Sequence, residues 1–303
     1  MTPTSPRCEA ELWREPSVAA DSRQARGQRM IGIIAVDLDG TLLAADHRTV
    51  PADEQRALGE LAARGAHVVP ASGRALALMR HELRQIPFVR YVVSSNGASV
   101  IDRCCAPPAL RTSPLSAQRA HDLYTLFDGY DLSLELYHDG AAYLERRHVR
   151  RFRSSFTPHF AAHLAEHTFV VDSLEPLLDV GAVEKLNISG VREADRPEIT
   201  ARLARWNDLA ITTSLNANIE ITAAGVTKVA ALSWLAGRLG VDRRDVVAFG
   251  DSDNDVGMLE WAGLSYAMVG GTAAAKAAAG RVVDPDAGEA ISTVLETLIG
   301  AHR

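Results

Sequence analysis

The chain is expected to fold as an α/β protein, a doubly wound parallel sheet interrupted by an inserted α+β module. Short apolar runs alternate with helical stretches from Ile31 to Ser94, the rhythm of a parallel sheet covered on both faces. Hairpins mixed with helices replace that rhythm between about 112 and 215. The alternation resumes after Thr222 and runs to Ile299. The expected units are an extension over 1–29, a discontinuous core over 30–111 and 216–303, and an inserted module over 112–215.

Each element has a local reason. Ile31–Val36 is a continuous apolar run, a buried strand. Ala52–Arg64 carries Leu58, Leu61 and Ala62 on one helical face, with Gly65 as its stop. His67–Ala71 is a second strand, and a helix runs from Ser72-Gly73-Arg74 to about Arg84. Tyr91–Ser94 is the third strand of the sheet, and Ala98–Arg111 reads as a hairpin. The module combines helix Ala117–Phe127, strands Leu132–Tyr137 and Ala141–Glu145, and a helical stretch over Val149–His163. Strand Lys185–Ser189, helix Arg196–Trp206 and strands Ala210–Ser214 and Asn218–Thr222 follow. Helix Lys228–Leu239, strand Val246–Gly250, helix Val256–Ala262 and strand Leu264–Met268 restore the parallel pattern. Helix Thr272–Ala279, strand Arg281–Val283 and helix Gly288–Ile299 complete it.

Bulk properties narrow the function. The 303 residues suffice for two domains, and 47% hydrophobic with 23% charged is an ordinary globular composition. A net charge of -6 gives no basic field for nucleic acid. No apolar run reaches the roughly 18 residues of a membrane span. Three cysteines, Cys8 and the adjacent Cys104 and Cys105, make no disulfide framework and favour a reducing cytoplasm. Residues 1–29 are rich in Arg, Glu, Ser and Pro, so a disordered extension or a start codon placed too early is expected. The expected partner is a small molecule, bound by a monomer or homodimer.

Chemistry concentrates at the C-terminal ends of the core strands, where open α/β sheets bind ligands. Asp37 and Asp39 follow the first strand in Asp37-Leu38-Asp39-Gly40-Thr41. In isolation such a segment is also an ordinary strand-end turn. Asp37 is a candidate nucleophile toward phosphorus and Asp39 a candidate general acid/base, its pKa raised by neighbouring carboxylates. Asp251 and Asp255 extend the set to four carboxylates without His or Cys, an all-oxygen group suited to Mg²⁺. Ser72 and Gly73 can meet a phosphate, though Ser72 also suits a helix cap. Lys228 at a helix start opposes the dipole, which favours a phosphate partner.

In this order the segments resemble the haloacid dehalogenase superfamily of phosphatases. The motifs are Asp37-Leu38-Asp39-Gly40-Thr41-Leu42-Leu43, Ser72-Gly73-Arg74, Lys228 and Gly250-Asp251-Ser252-Asp253-Asn254-Asp255. The large insert, Ser95-Asn96-Gly97-Ala98 and the final Asn254-Asp255 pair are similar to the Cof-type branch. The resemblance implies a Rossmann-like core under an α/β cap and Mg²⁺-dependent hydrolysis of sugar phosphates or similar esters through an aspartyl phosphate. It implies Asp37 as nucleophile and Mg²⁺ ligand, and Asp39 as acid/base lending Mg²⁺ its backbone carbonyl. Asp251 would be a direct ligand, with Asp255 nearby or through water. Leu38, Ser72, Gly73, Lys228 and Asn254 would hold phosphate. Two departures stand out: Ala267-Met268-Val269-Gly270-Gly271 replaces the usual Met-Gly-Asn-Ala, and Val229 replaces a glycine after Lys228.

A phosphomutase of the same superfamily and a non-catalytic small-molecule sensor are the alternatives. Candidate substrate contacts are Arg74, Glu135, Tyr137, His138 and Lys185. Each also has a structural role open to it. Arg74 can face phosphate, face the cap or pair with an acid, and Lys185 can be an edge-strand charge.

Overall fold

The structure, a computed structural model, describes residues 31–214 and 218–301. The extension expected over 1–29 lies outside the described residues. The first half of the core contributes β1 (Ile33–Val36), β2 (His67–Pro70), β3 (Tyr91–Ser94), β4 (Ser99–Asp102) and β5 (Ala109–Thr112). The insert holds β6 (Ser133–His138), β7 (Ala141–Glu145), β8 (Thr168–Val171), β9 (Val183–Ser189), β10 (Leu209–Thr212) and β11 (Ile219–Ala223). The second half returns with β12 (Val246–Gly250), β13 (Leu264–Met268) and β14 (Arg281–Val283).

The core sheet has five parallel strands in the order β14-β13-β12-β1-β2. Interior strand β1, between β12 and β2, is wholly buried, and alternate residues serve opposite faces. Ile34 and Val36 pack with Leu58 and Leu61 of helix Ala52–Ala63 and with Ile291 and Leu295 of helix Ile291–Ala301. Ile33 and Ala35 pack with Ala231, Leu232 and Leu235 of helix Lys228–Leu239. Two-sided burial is why this strand is apolar at every position.

β3 departs from the expected role of third parallel strand. A single parallel bridge, Ala71 to Val93, links it to the second strand's end. It then pairs antiparallel with β4 in a three-stranded sheet with β5. The reversal comes from Ser95, Asn96 and Gly97, with φ of 52°, 57° and 99°. These left-handed conformations turn the chain back before another parallel register forms.

The insert builds a six-stranded sheet in the order β10-β11-β9-β6-β7-β8, antiparallel apart from the β7–β8 pair. β11 lies inside this sheet, so the module continues through Ala223 and the core does not resume at 216. The expected helical stretch over Val149–His163 is two helices, Val149–Ser154 and Pro158–Ala165. Pro158 forces the break, and Thr157 caps the second helix through Phe160 N–H. Strand β8 and the short helix Glu175–Leu178 have no counterpart in the expected elements. Leu134, Leu136, Leu186, Ile188 and Ile221 pack against Leu123, Phe127, Ile199 and Leu203 of the two helices behind the sheet. The alternate residues, Glu135, Tyr137, Asn187 and Glu220, are therefore on the other face, and they are buried too.

The Ser95–Gly97 turn also bears on the site. A Cβ on Gly97 would lie 2.2 Å from the carbonyl oxygen of Thr227, whose side chain caps the Lys228 helix. Gly97→Ala is expected to destabilise the protein by about 2–4 kcal/mol, combining left-handed backbone strain with overpacking. Chemical denaturation measures this; a loss below about 0.5 kcal/mol would mean the contact is not tight.

Candidate active site

The site is built on the C-terminal ends of β1 and β12. Asp37 leaves β1 with its N–H donating to Phe249 O of β12 at 3.0 Å. Gly40, at φ +78°, lets the turn pass Asp251, where a Cβ would come within 2.5 Å of Oδ2. Thr41 Oγ1 donates to Asp251 Oδ1 at 2.8 Å, and Ser252 Oγ donates to Oδ2 at 3.0 Å. The N–H groups of Asp251 and Ser252 both donate to Asp255 Oδ2 at 3.0 Å. Gly271, in the unusual loop after β13, fits where a Cβ would lie 2.5 Å from Asp251 O. That loop thus buttresses the Asp251 backbone. The other departure, Val229, fills space against Gly257 of the neighbouring helix.

Lys228 joins these parts. Its ammonium is 1% exposed and donates to Asp37 Oδ1 and Asp255 Oδ1, each at 2.6 Å. Burial opposes its charge, but Asp255 and Asp37 outweigh this and raise its pKa above the usual lysine range. Burial lifts the Asp37 carboxyl well above the carboxylate range; Lys228 works against this, while Asp255, Asp251 and Asp39 add to it. Burial and Asp255 likewise raise Asp251. Asp37, Asp251 and Asp255 each place one oxygen within 4.8 Å of the others. Three carboxylates thus face one ammonium, a surplus of negative charge that a hard cation would relieve. The donor set is all oxygen, as Mg²⁺ requires.

Asp39 points elsewhere. Arg74 grips its carboxylate through Nε at 2.7 Å and Nη2 at 2.5 Å, and His47 Nδ1 lies 3.0 Å away. Burial would raise its pKa, but Arg74 and His47 prevail and lower it to about 2. The rise expected from neighbouring carboxylates is therefore corrected: the dominant neighbour is a guanidinium. Arg74 also donates to Glu82 at 3.0 Å and to the carbonyls of His47 and Leu78. Of its three open roles the structure gives it two: it pairs with acids, and its guanidinium lies 5.5 Å from the ring centre of Phe160 in the cap. Glu82 in turn meets His163 of helix Pro158–Ala165 at 2.7 Å.

A cleft between core and cap exposes Asp37, Asp39, Ser72, Gly73, Arg74 and Asn254 on one side. Ser72 Oγ accepts from Arg74 N–H at 3.1 Å, which leaves its O–H to donate. Asn254 Nδ2 donates to Asn96 Oδ1 at 3.2 Å. Leu38 is buried under the turn. Across the cleft stand Tyr137, Asn187, Asn218 and Glu220 of the cap. Lys185 reaches over to Gly73 O at 2.5 Å and Glu220 at 2.7 Å, its ammonium 4.5 Å from the Tyr137 ring centre. Glu135 lies behind Asn187, which donates to it at 2.6 Å. His138 does not join them. It occupies the opposite strand face and contacts Val180 O, because side chains alternate along β6.

A family profile for haloacid dehalogenase-like hydrolases matches residues 34–295. The chain belongs to that family. It is a Cof-type hydrolase of phosphoric monoesters. It is 27% identical over 243 residues to a 5-amino-6-(5-phospho-D-ribitylamino)uracil phosphatase of Bacillus subtilis, covering 78% of this chain and 84% of that one. It is 29% identical over 239 residues to an HMP-PP phosphatase of Cronobacter sakazakii, covering 77% and 82%. A solved haloacid dehalogenase-like hydrolase from Bacillus subtilis superposes with a TM-score of 0.76 at 24% identity, over 88% of this chain and 99% of that one. Among the described residues no helix is long and apolar enough to cross a membrane.

Sequence reasoning missed several residues of this hydrolase's site. Asn187, Asn218 and Glu220 line the cleft, and Asn96 donates to Glu220 at 2.8 Å. Glu184 ties cap to core by accepting from Ser95 Oγ at 2.6 Å and Ser99 Oγ at 2.7 Å. The one available signal was the density of polar residues in β9, which reads Val-Glu-Lys-Leu-Asn-Ile-Ser. Glu135 supplies a test of this buried face. Burial raises its pKa to about 7, with Asn187 and Lys185 opposing and Glu220 adding. The carboxyl therefore costs nothing below its unfolded pKa of 4.5 and destabilises progressively as pH rises through about 7. Glu135→Gln should gain stability over the parent by about 3 kcal/mol at pH 8.5 and nothing at pH 4.5. Denaturation at both pH values decides it; a gain independent of pH would contradict the assignment.

Proposed function

We propose that the protein is a Mg²⁺-dependent phosphomonoesterase acting on a small phosphorylated metabolite through an aspartyl-phosphate intermediate. The observation that carries this reading is Lys228, buried between Asp37 and Asp255 beside Asp251, with Asp37 of this group lining the cleft. Lys228, Asp37 and Asp39 then have separate tasks. Lys228 holds Asp37 Oδ1, which leaves Oδ2 to attack phosphorus. The Asp37–phosphorus bond forms as the bond to the ester oxygen breaks, and that oxygen takes a proton from Asp39. Water then attacks the phosphorus, gives its proton to Asp39, and releases inorganic phosphate and free Asp37.

Asp39 must leave Arg74 to do this. Its low pKa belongs to the paired arrangement, and separation from the guanidinium removes the main stabiliser of the ionised form. Ser72 O–H, the Gly73 and Leu38 N–H groups and Asn254 would hold the phosphate oxygens, with Lys228 as the compact positive charge. Mg²⁺, held by Asp37, Asp251 and the Asp39 carbonyl with Asp255 behind them, would screen the approach of two anions.

Phosphate release from p-nitrophenyl phosphate and a panel of small esters tests the reading. Activity is expected with Mg²⁺, none with EDTA, and a loss of at least about 1000-fold in kcat for Asp37→Asn. Equal rates for Asp37→Asn and the parent would sink it.

A further inference from the structure

The cleft beyond the phosphate carries a charge pattern that selects the leaving group. Glu220 stands at the junction: a Cβ on Gly73 would lie 3.1 Å from its Oε1. Asn187, Asn218 and Ser214 continue the polar wall. Asn218 Nδ2 donates to Asn187 Oδ1 at 2.8 Å and to Glu220 Oε1 at 3.3 Å. Asn187 Nδ2 is drawn back toward Glu135. These bonds engage the Asn218 amide donors and one of the two on Asn187; Asn187 Oδ1, Asn218 Oδ1 (which accepts from Ser214 N–H at 2.8 Å) and Glu220 Oε2 each accept once from a well-placed donor and keep a lone pair for another. Phe156 and Phe160 supply apolar surface in the same cleft.

Cations in reach are committed. Arg74 is the only Lys or Arg lining the cleft among the described residues, and Glu82 with the Leu78 and His47 carbonyls still holds it when Asp39 turns to the substrate. Lys185 is 1% exposed and bound to Glu220 and Gly73 O. Burial disfavours ionised Glu220, but Lys185, Asn96 and Lys228 outweigh it and keep the carboxyl below its usual range. A second anion on the substrate would therefore be desolvated beside a carboxylate with no cation to meet it. Hydroxyl or ammonium groups would instead donate to the waiting acceptors.

We infer that the Glu220–Asn218–Asn187–Ser214 wall selects monoesters whose leaving group is neutral or cationic and rich in hydrogen-bond donors, and rejects those bearing a second anion. This rests on the phosphatase reading above, and the test separates the two. Three aryl phosphates with similar leaving-group electronics serve: 4-(hydroxymethyl)phenyl, 4-(aminomethyl)phenyl and 4-(carboxymethyl)phenyl phosphate, each measured by phosphate release with saturating Mg²⁺. The carboxymethyl ester should show kcat/KM at least about tenfold below the hydroxymethyl ester, and the aminomethyl ester should equal or exceed it. Ser214→Lys should narrow the carboxymethyl gap at least about threefold. Should that variant fail to fold, the parent series still decides. Turnover of the carboxymethyl ester at or above the hydroxymethyl rate overturns the inference and leaves the phosphatase reading intact. No turnover of any of the three, with p-nitrophenyl phosphate also inert, overturns both.

Discussion

The buried ammonium of Lys228 is the interaction on which the site depends. It binds Asp37 and Asp255 at equal distances, 2.6 Å each. Asp37 belongs to the first core strand's end and Asp255 to the turn after β12, so one side chain joins segments 218 residues apart in sequence. Removing one member of such a buried group leaves uncompensated charge and typically costs about 3–5 kcal/mol. The arrangement explains why a lysine tolerates a helix start, where the dipole disfavours it. It also leaves the site short of positive charge: among the described residues Asp251 adds a third carboxylate, and its side-chain hydrogen bonds come from the neutral Thr41 and Ser252 hydroxyls.

Cap and core meet through polar contacts made at the site itself. Lys185 touches the Gly73 carbonyl, Glu220 takes Asn96, and Glu184 takes Ser95 and Ser99. On the other flank, Asp39, Arg74, Glu82 and His163 form a chain from the first motif to a cap helix. Movement of the cap would break the Glu82–His163 contact and the Lys185–Gly73 contact together, while Asp39, Arg74 and Glu82 all stay within the core.

Much of this was legible beforehand. The core strands announced themselves because two-sided burial demands unbroken apolar runs, as in Ile33–Val36. The acidic motifs stood out because carboxylates at strand ends are costly without a partner. The third strand misled because a parallel continuation and a hairpin differ only in the turn, and Ser95 and Asn96 adopt positive φ without being glycine. The cap's recognition wall was hidden for a different reason. Glu135 and Tyr137 alternate along β6 as on a solvated face and Lys185 suits an edge-strand charge, whereas the core covers that face and buries all three. One strand's pattern cannot distinguish water from another domain's polar surface. Arg74 was ambiguous because its partner Asp39 lies 35 positions away.

The deciding property is the charge surplus at Asp37, Asp251 and Asp255. Thermal unfolding of the parent and of Asp251→Asn, each titrated with Mg²⁺ in the absence of substrate, measures it directly. A ligand that binds only the folded state at 100 times its Kd adds about 2.7 kcal/mol of stability. The parent midpoint should climb with Mg²⁺ while that of Asp251→Asn stays nearly flat. Identical Mg²⁺ responses in the two proteins would contradict a cation site built on these carboxylates.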